Sequence, residues 1–458
     1  VERLKKSLLY TYGVGDLFFA LMVNMEAYFF TAFLTDYAQF SLAATGQILG
    51  ITSVIDIVCA LAGGVLLQKL TLKYGGKYRS WFLVGPSIVV PLFILQFTKI
   101  GSDLMAASIV MFGFVASHLT FNVVVAASGA MVSRLSQLPE ERTVLSVSRA
   151  QGMSAASLIF SATAMPMILF FSAHTNKIAG FTSTVAVYGF LMILGYLYVY
   201  RITAGKDPYD EAVSDDLQKT SSQSIKEMVG LAFKNPPLML LTLAQIFSST
   251  GLFIITAIAI YYFTYVVGKP EFLSVFMVAT SIARLVATFG ASRIGVKLGK
   301  RRVYWIFVSL AAVGFVSGRF LTDAPWGFTL MFCLATMCGS VAASMTTALF
   351  ADTVVYGEWK TGKSIRAFTM ALMNLSIKVG VLIRSAVVTV GLMAIGFVAN
   401  ATPTPQVTEG IRSIMTLGPA AAYILAAATL YFGYRIKETD VLRMQEEIAA
   451  RKTSPALR

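Results

Sequence analysis

Residues 43–67 read AATGQILGITSVIDIVCALAGGVLL, with a single ionisable side chain, Asp56, in the middle. As a helix rising 1.5 Å per residue, such a stretch is about 37 Å long, more than the ~30 Å of a bilayer's hydrocarbon core. A charge at its centre costs roughly 2.5–3.5 kcal/mol even on lenient insertion scales, so it persists where it faces a partner, a water-filled cavity or a solute. Outward from it, similar segments recur at about 10–24, 80–98, 104–133, 146–172 and 179–200, and again at about 238–267, 272–296, 303–321, 326–351, 367–398 and 412–434. The first runs on to Leu34, with Glu26 interrupting it. This makes an all-α membrane protein with twelve transmembrane helices. Composition agrees: 56% of the 458 residues are apolar, 13% are charged and mean hydropathy is +0.72, against about 25% charged in soluble domains.

The net charge of +14 does not indicate nucleic acid, because the basic residues fall in alternate loops, which is a topology signal. Lys69, Lys73, Lys77 and Arg79 follow the second span, and Lys297, Lys300, Arg301 and Arg302 follow the eighth. The intervening loops carry little beyond Lys99, Lys177, Lys269 and Arg412. Positive-inside therefore places both termini in the cytoplasm of a multi-pass inner-membrane protein, with no cleavable signal peptide expected at the basic amino end. Cys59, Cys333 and Cys338 all lie inside spans without metal spacing and read as packing residues.

The polar stretch 202–236, with Asp207, Asp210, Glu211, Asp215 and Asp216, reads as a cytoplasmic linker that ends in a short amphipathic helix over 224–234. It separates a six-helix half at 1–201 from a second at 237–436, with a cytoplasmic tail at 437–458. Short basic glycine-bearing loops at 69–79 and 293–302 occupy corresponding places in the two halves. Two such halves, rocking about a passenger site near the midplane, are the architecture of a secondary transporter.

Several words of the sequence carry a resemblance. They are Tyr-Gly-Val-Gly-Asp at 12–16, Thr-Asp at 35–36, Tyr-Gly-Gly-Lys-Tyr-Arg-Ser-Trp at 74–81, Glu-Arg-Thr at 141–143 before Arg149, Ile-Tyr-Tyr-Phe-Thr-Tyr-Val-Val-Gly at 260–268, Ala-Asp-Thr-Val-Val-Tyr-Gly-Glu-Trp-Lys-Thr-Gly-Lys at 351–363, and Lys378 with Gly380. In this order and spacing the chain resembles the glycoside-pentoside-hexuronide:cation symporters, a family that includes the melibiose permease and the glucuronide carrier. The resemblance implies the major facilitator fold, cation-coupled sugar transport and Asp56 as a cation-site carboxylate. The chain departs from the melibiose pattern at Ala60, Ala20, Asn122 and Ala126, where that pattern has a second cation carboxylate, two sugar-binding aspartates and a tryptophan.

Glu26, Asp56, Arg284, Lys378 and Arg384 fall near the middle of their spans, and Arg149 falls nearer one end. Lys378 and Arg384 are separated by about 9 Å along the axis and roughly 120° around it, so they cannot grip the same atom. The expected cation-coupling group is Asp56 with Lys378, joined by Glu26, which pairs with Arg149 or Arg284. Coupling needs a carboxylate desolvated enough to hold a proton and a movable cation to release it. A proton is expected ahead of sodium, with no cofactor or metal. Two acids against four bases leave positive charge in the membrane, which points to an anionic passenger. Arg284 or Arg384 is the expected clamp, since guanidinium grips a carboxylate or sulfonate bidentately. Asn122, Gln245, Tyr262 and Asn374 complete the expected substrate-binding set, while Tyr28, Thr120, Gln151, Tyr261 and Tyr265 are further lining candidates. His118 reads as a satisfied core histidine, and Asp16 ranks below Glu26. Asp352 and Glu358, near Lys360 and Lys363, are expected to latch helices together. No Walker loop or nucleophile arrangement suggests an enzyme. The expectation is a monomeric symporter of a glycoside or acidic sugar; an uncoupled uniporter or exchanger and a non-transporting sensor are the alternatives.

Overall fold

Where no water is present to satisfy backbone amides, a chain crosses hydrocarbon by closing its own hydrogen bonds, and apolar segments of this length do so as helices. The computed structural model describes residues 3–70, 72, 75–136, 138–207, 225–363 and 365–453. Eleven helices among them are long and apolar enough to span a membrane: Lys6–Tyr37, Leu42–Gly64, Asp103–Leu135, Glu140–His174, Lys177–Ile202, Pro236–Val266, Phe272–Ala291, Lys300–Leu321, Pro325–Thr361, Phe368–Ala394 and Pro405–Gly433. Ser80–Leu95 is a shorter apolar helix, containing Pro86 and Pro91. In chain order these are spans 1 to 12, with Ser80–Leu95 as span 3. Strands are absent among the described residues.

Spans 1 and 7 both end in a π-helical turn, at Phe33–Tyr37 and Tyr262–Val266. Such turns insert an extra residue per hydrogen-bonded loop and re-aim the side chains beyond them.

The chain divides into two compact units. The first comprises Val1–Gln218, Ala259–Ser281 and Thr389–Val407, and the second Lys219–Ile258, Ile282–Val388 and Thr408–Arg458. In the first, span 1 packs on spans 5 and 6, span 4 on spans 2 and 3, and span 6 on spans 3 and 5. Small residues set the closest approach, as expected where helices associate without a hydrophobic driving force. Ser148 Oγ accepts from Gly13 N at 3.0 Å and donates to the Tyr10 carbonyl at 2.9 Å. One turn along span 5, a methyl group on Gly152 would lie 2.3 Å from the Gly13 carbonyl oxygen, whereas one on Gly50 would meet nothing within 4 Å. Gly152→Ala is therefore expected to lower the thermal midpoint of the purified protein by an overpacking cost of about 1–3 kcal/mol. Gly50→Ala, the matched control, should leave it unchanged or raise it, and equal midpoints would contradict the close crossing.

The polar segment after span 6 begins docked. Asp207 Oδ2 accepts from Tyr78 N at 2.7 Å and Arg79 N at 2.9 Å, just ahead of span 3. A carboxylate there satisfies end amides and complements the helix dipole. Arg79 donates to the Tyr200 carbonyl at 2.8 Å and lies over the Tyr200 ring. Asp210, Glu211, Asp215 and Asp216 lie outside the described residues.

In the second unit, spans 9 and 10 pack along their length, and a helix at Glu438–Thr453 packs on span 10. Trp359 Nε1 donates to Glu447 Oε2 at 2.6 Å. A nine-residue helix covers Ile225–Phe233. The expected latch has different partners: Asp352 pairs with Lys300 at 2.6 Å, and Lys363 with Glu227 at 2.5 Å. Asp352 lies nine residues before Thr361 on span 10, so Lys363, beyond that end, is out of its reach.

Candidate functional site

Span 1 of the first unit carries three acids, Asp16, Glu26 and Asp36, and the first two each meet a different base. Arg149 grips Asp16 bidentately, Nε to Oδ2 at 2.9 Å and Nη2 to Oδ1 at 3.0 Å. The Asp16 side chain is 2% exposed and that of Arg149 19%. Ser128 Oγ adds a longer donation to Asp16 Oδ2 at 3.4 Å, and Tyr12 OH donates to the Ser128 carbonyl at 2.8 Å.

Glu26 Oε2 lies 3.1 Å from His118 Nε2, on span 4. The expected pairing of Glu26 with Arg149 or Arg284 is thus replaced, for a reason of depth. Asp16 and Arg149 both sit about ten residues, roughly 15 Å, from the starts of spans 1 and 5, which Leu4 N joins by donating to Glu141 Oε1 at 3.1 Å. Glu26 is about 15 Å deeper on the same helix, level with His118. The latter is the buried core histidine expected, with a partner at each ring nitrogen. Its Nδ1 lies 3.0 Å from the Phe114 carbonyl oxygen, and its ring stacks on Phe114 with centroids 3.8 Å apart. A carbonyl only accepts, so Nδ1 carries a proton, and Nε2 would then oppose the carboxylate lone pair to lone pair unless a second proton sits between them.

Asn122, one turn beyond His118, donates from Nδ2 to the His118 carbonyl at 2.7 Å, and a Cβ on Gly63 of span 2 would lie 2.8 Å from the Asn122 Cβ. Span 2 thus passes close to the Glu26 level, with Asp56 two turns from that crossing and half-buried.

Tyr262, expected to face the passenger, is fully buried in the first unit, its ring edge-on to Phe263. Its neighbours form a polar clasp. Thr35 Oγ1 donates to Asp36 Oδ1 at 2.8 Å, so the 2.6 Å contact with Tyr261 is a donation from the tyrosine hydroxyl. Tyr265 OH donates to Asp36 Oδ2 at 2.9 Å, and Asn400 Nδ2 to the Asp36 carbonyl at 2.6 Å. The two π-helical turns carry Thr35, Asp36 and Tyr265 into this clasp, a consequence that apolar periodicity does not reveal.

In the second unit, a cavity of about 180 Å³ opens among spans 7, 8, 9, 10 and 12. Arg284 lines it together with Gln245, Ser248, Ser249, Tyr304 and Tyr423, and none of its described lining residues is an acid. Gln245 is held from both ends: its Nε2 donates to Ser249 Oγ at 3.2 Å and its Oε1 accepts from Thr346 Oγ1 at 3.4 Å. Tyr304 OH donates to Ser248 Oγ at 3.3 Å. The cavity is smaller than the roughly 300–1,000 Å³ of drug-sized pockets; it suits one polar head group. Arg384, 4% exposed, is not among its lining residues. Lys378 is half-buried and Asn374 exposed on span 11. Tyr304, Tyr423 and the serines of span 7 were not singled out from the sequence; the signal available was hydroxyl residues facing one level of adjacent spans.

Among the described residues, eleven apolar helices of spanning length and one shorter one, with charged residues inside them and polar side chains gathered around those charges, are the architecture of a multi-pass transporter of the major facilitator type. The chain belongs to the MFS/sugar transport protein family, whose model matches residues 11–438. It is 24% identical over 449 residues to a Bacillus subtilis (strain 168) protein named as an uncharacterised symporter, YjmB, covering 96% of this chain and 94% of that one. It is 27% identical over 450 residues to an Escherichia coli (strain K12) protein named for sulfoquinovose import, covering 96% and 93%. Among solved structures, a D-xylose-proton symporter superposes with a TM-score of 0.67 at 14% identity, over 94% of this chain and 98% of that one, a likeness of fold alone. These relatives are transporters, and the chain is not an enzyme.

Proposed function

We propose that this member of the family is a proton-coupled symporter of an acidic sugar, a hexuronide or a sulfonated sugar, working as a monomer by alternating access in the inner membrane with both termini cytoplasmic. The observation that carries the reading is the Arg284 cavity: a guanidinium inside a span, among hydroxyls and an amide, with no acid among the described residues that line the space. A cation so placed favours an arriving anion, and a planar fork favours carboxylate or sulfonate. The E. coli relative named for sulfoquinovose import supports a sulfonate.

Coupling falls to the first unit. The proton between Glu26 and His118 is held by two groups whose partnership a change in helix packing would alter, which is what a carrier of protons requires. Asp56 of the first unit and Lys378 of the second each remain proposed as further coupling residues, and Asn122, Arg149, Tyr262, Asn374 and Arg384 as further substrate contacts.

Uptake of labelled hexuronate or sulfonated sugar into proteoliposomes tests this. An imposed inward proton gradient should drive accumulation and a sodium gradient should not. Glu26→Gln should abolish accumulation against a gradient while sparing exchange of labelled for unlabelled sugar. Uptake indifferent to either gradient would replace symport by a uniporter, and full accumulation by Glu26→Gln would remove the carboxylate from coupling.

A further inference from the structure

Span 9 opens with three consecutive bases, Lys300, Arg301 and Arg302, at the end of the helix where cations are disfavoured by the dipole and anions are welcome. Its N-cap is Gly299, with no side chain to bond the first amides. Beside it lies a cavity of about 280 Å³ lined by Lys300, Arg301, Arg302, Lys437 and Thr439, with Asp352 as the one acid among its described lining. Asp352 is engaged by Lys300 at 2.6 Å, and Asp440 Oδ2 accepts from Lys437 N at 3.2 Å, so the four bases Lys300, Arg301, Arg302 and Lys437 still outnumber these two acids. Arg301 Nε is buried with no hydrogen-bond partner among the described residues.

A second space adjoins the first. An open groove of about 560 Å³ runs between spans 9 and 12, lined by Trp305, Ala312, Val316, Ala428, Tyr431 and Phe432 among others. Arg301 links the two, because its Nη2 donates to the Tyr431 carbonyl at 3.1 Å. The Trp305 and Tyr431 rings meet edge to face, centroids 5.1 Å apart, at the groove's mouth. From Trp305 to Ser317 the groove follows span 9 for about 18 Å, a little over half of a ~30 Å hydrocarbon core and so about one leaflet deep.

We propose that this is a binding site for an anionic phospholipid, with the phosphate among Arg301, Arg302 and Lys437 at the amino end of span 9 and one acyl chain along the groove. A free phosphate would use the basic cavity and leave the apolar groove unexplained, and a zwitterionic lipid would use the groove and leave the excess positive charge uncompensated. Basic pockets between membrane helices suit lipid head groups for this reason. The site is separate from the Arg284 cavity and independent of what the protein carries.

The test uses the full-length protein in vesicles of dioleoylphosphatidylcholine containing a small fraction of phosphatidylglycerol with brominated chains, which quench nearby tryptophan. Brominated phosphatidylglycerol should quench at a mole fraction at least tenfold below that needed for brominated phosphatidylcholine. Trp305→Phe should remove the high-affinity component. R301Q/R302Q should raise the half-quenching fraction tenfold or more, while the charge-preserving R301K/R302K should stay within threefold of wild type, a pair that separates lost charge from lost fold. Equal quenching by the two lipids would mean annular contact alone and would overturn the site. So would an unchanged half-quenching fraction in R301Q/R302Q, or full competition by soluble glycerol phosphate, which would indicate a head-group site without the groove.

Discussion

Arg284→Gln is expected to lower the rate of uptake of an acidic sugar at low concentration about a hundredfold, while changing that of a neutral glycoside by less than about threefold. Hydrogen bonds to a charged group contribute about 1.5–3 kcal/mol, and a bidentate clamp makes two of them. A factor of one hundred corresponds to about 2.7 kcal/mol, inside that range. Glutamine keeps two donors and most of the volume, so the serine and tyrosine lining of the cavity stays in place and neutral hydroxyls keep their partners. Initial rates at several concentrations separate the effects: loss in apparent affinity marks the clamp, whereas equal losses for acid and neutral sugars would make Arg284 a structural cation.

Asp16→Asn is expected to destabilise the protein by about 3–5 kcal/mol, because it leaves the Arg149 guanidinium charged and unopposed beside a side chain that is 2% exposed. The double variant D16L/R149M removes both charges and should regain most of the lost thermal midpoint, since a well-packed apolar pair often replaces a buried ion pair at little cost. Glu26→Gln should move the midpoint far less, because amide and imidazole still form a hydrogen bond. If D16N and D16L/R149M lost the same amount, the pair would owe its role to packing rather than to charge. If neither lost stability, the ion pair would be dispensable, and the passenger contact proposed for Arg149 would be its main role.

The spans were legible because each depends on a local property, a run of apolar residues long enough to cross hydrocarbon, and because loop charge alternates. That a buried arginine would line a polar cavity was legible too, through the excess of bases over acids inside the spans. Which arginine would do so was not: Arg284 and Arg384 are equally deep, and only the rotation of spans 8 and 11 in their bundle puts one at a cavity and buries the other. The partners of Glu26 and Arg149 were misassigned through treating mid-membrane charges as one pool. Counting residues from the linked ends of spans 1, 4 and 5 would have put Asp16 level with Arg149 and Glu26 level with His118. The clasp around Asp36 depends on two π-helical turns, each the work of one inserted residue, and hydrophobic periodicity carries no trace of them.

The most direct test of the central claim, an anion held by Arg284, is thermal stabilisation of the purified protein by matched pairs of sugars that differ only in an acidic group, such as a methyl hexoside and its hexuronide or 6-sulfonate. Binding to the native state raises apparent stability by about 2.7 kcal/mol at a hundred times the dissociation constant. The acidic member of at least one pair should raise the midpoint and its neutral counterpart should not, with the shift lost in Arg284→Gln. Stabilisation by neutral and acidic members alike, undiminished in that variant, would contradict the account.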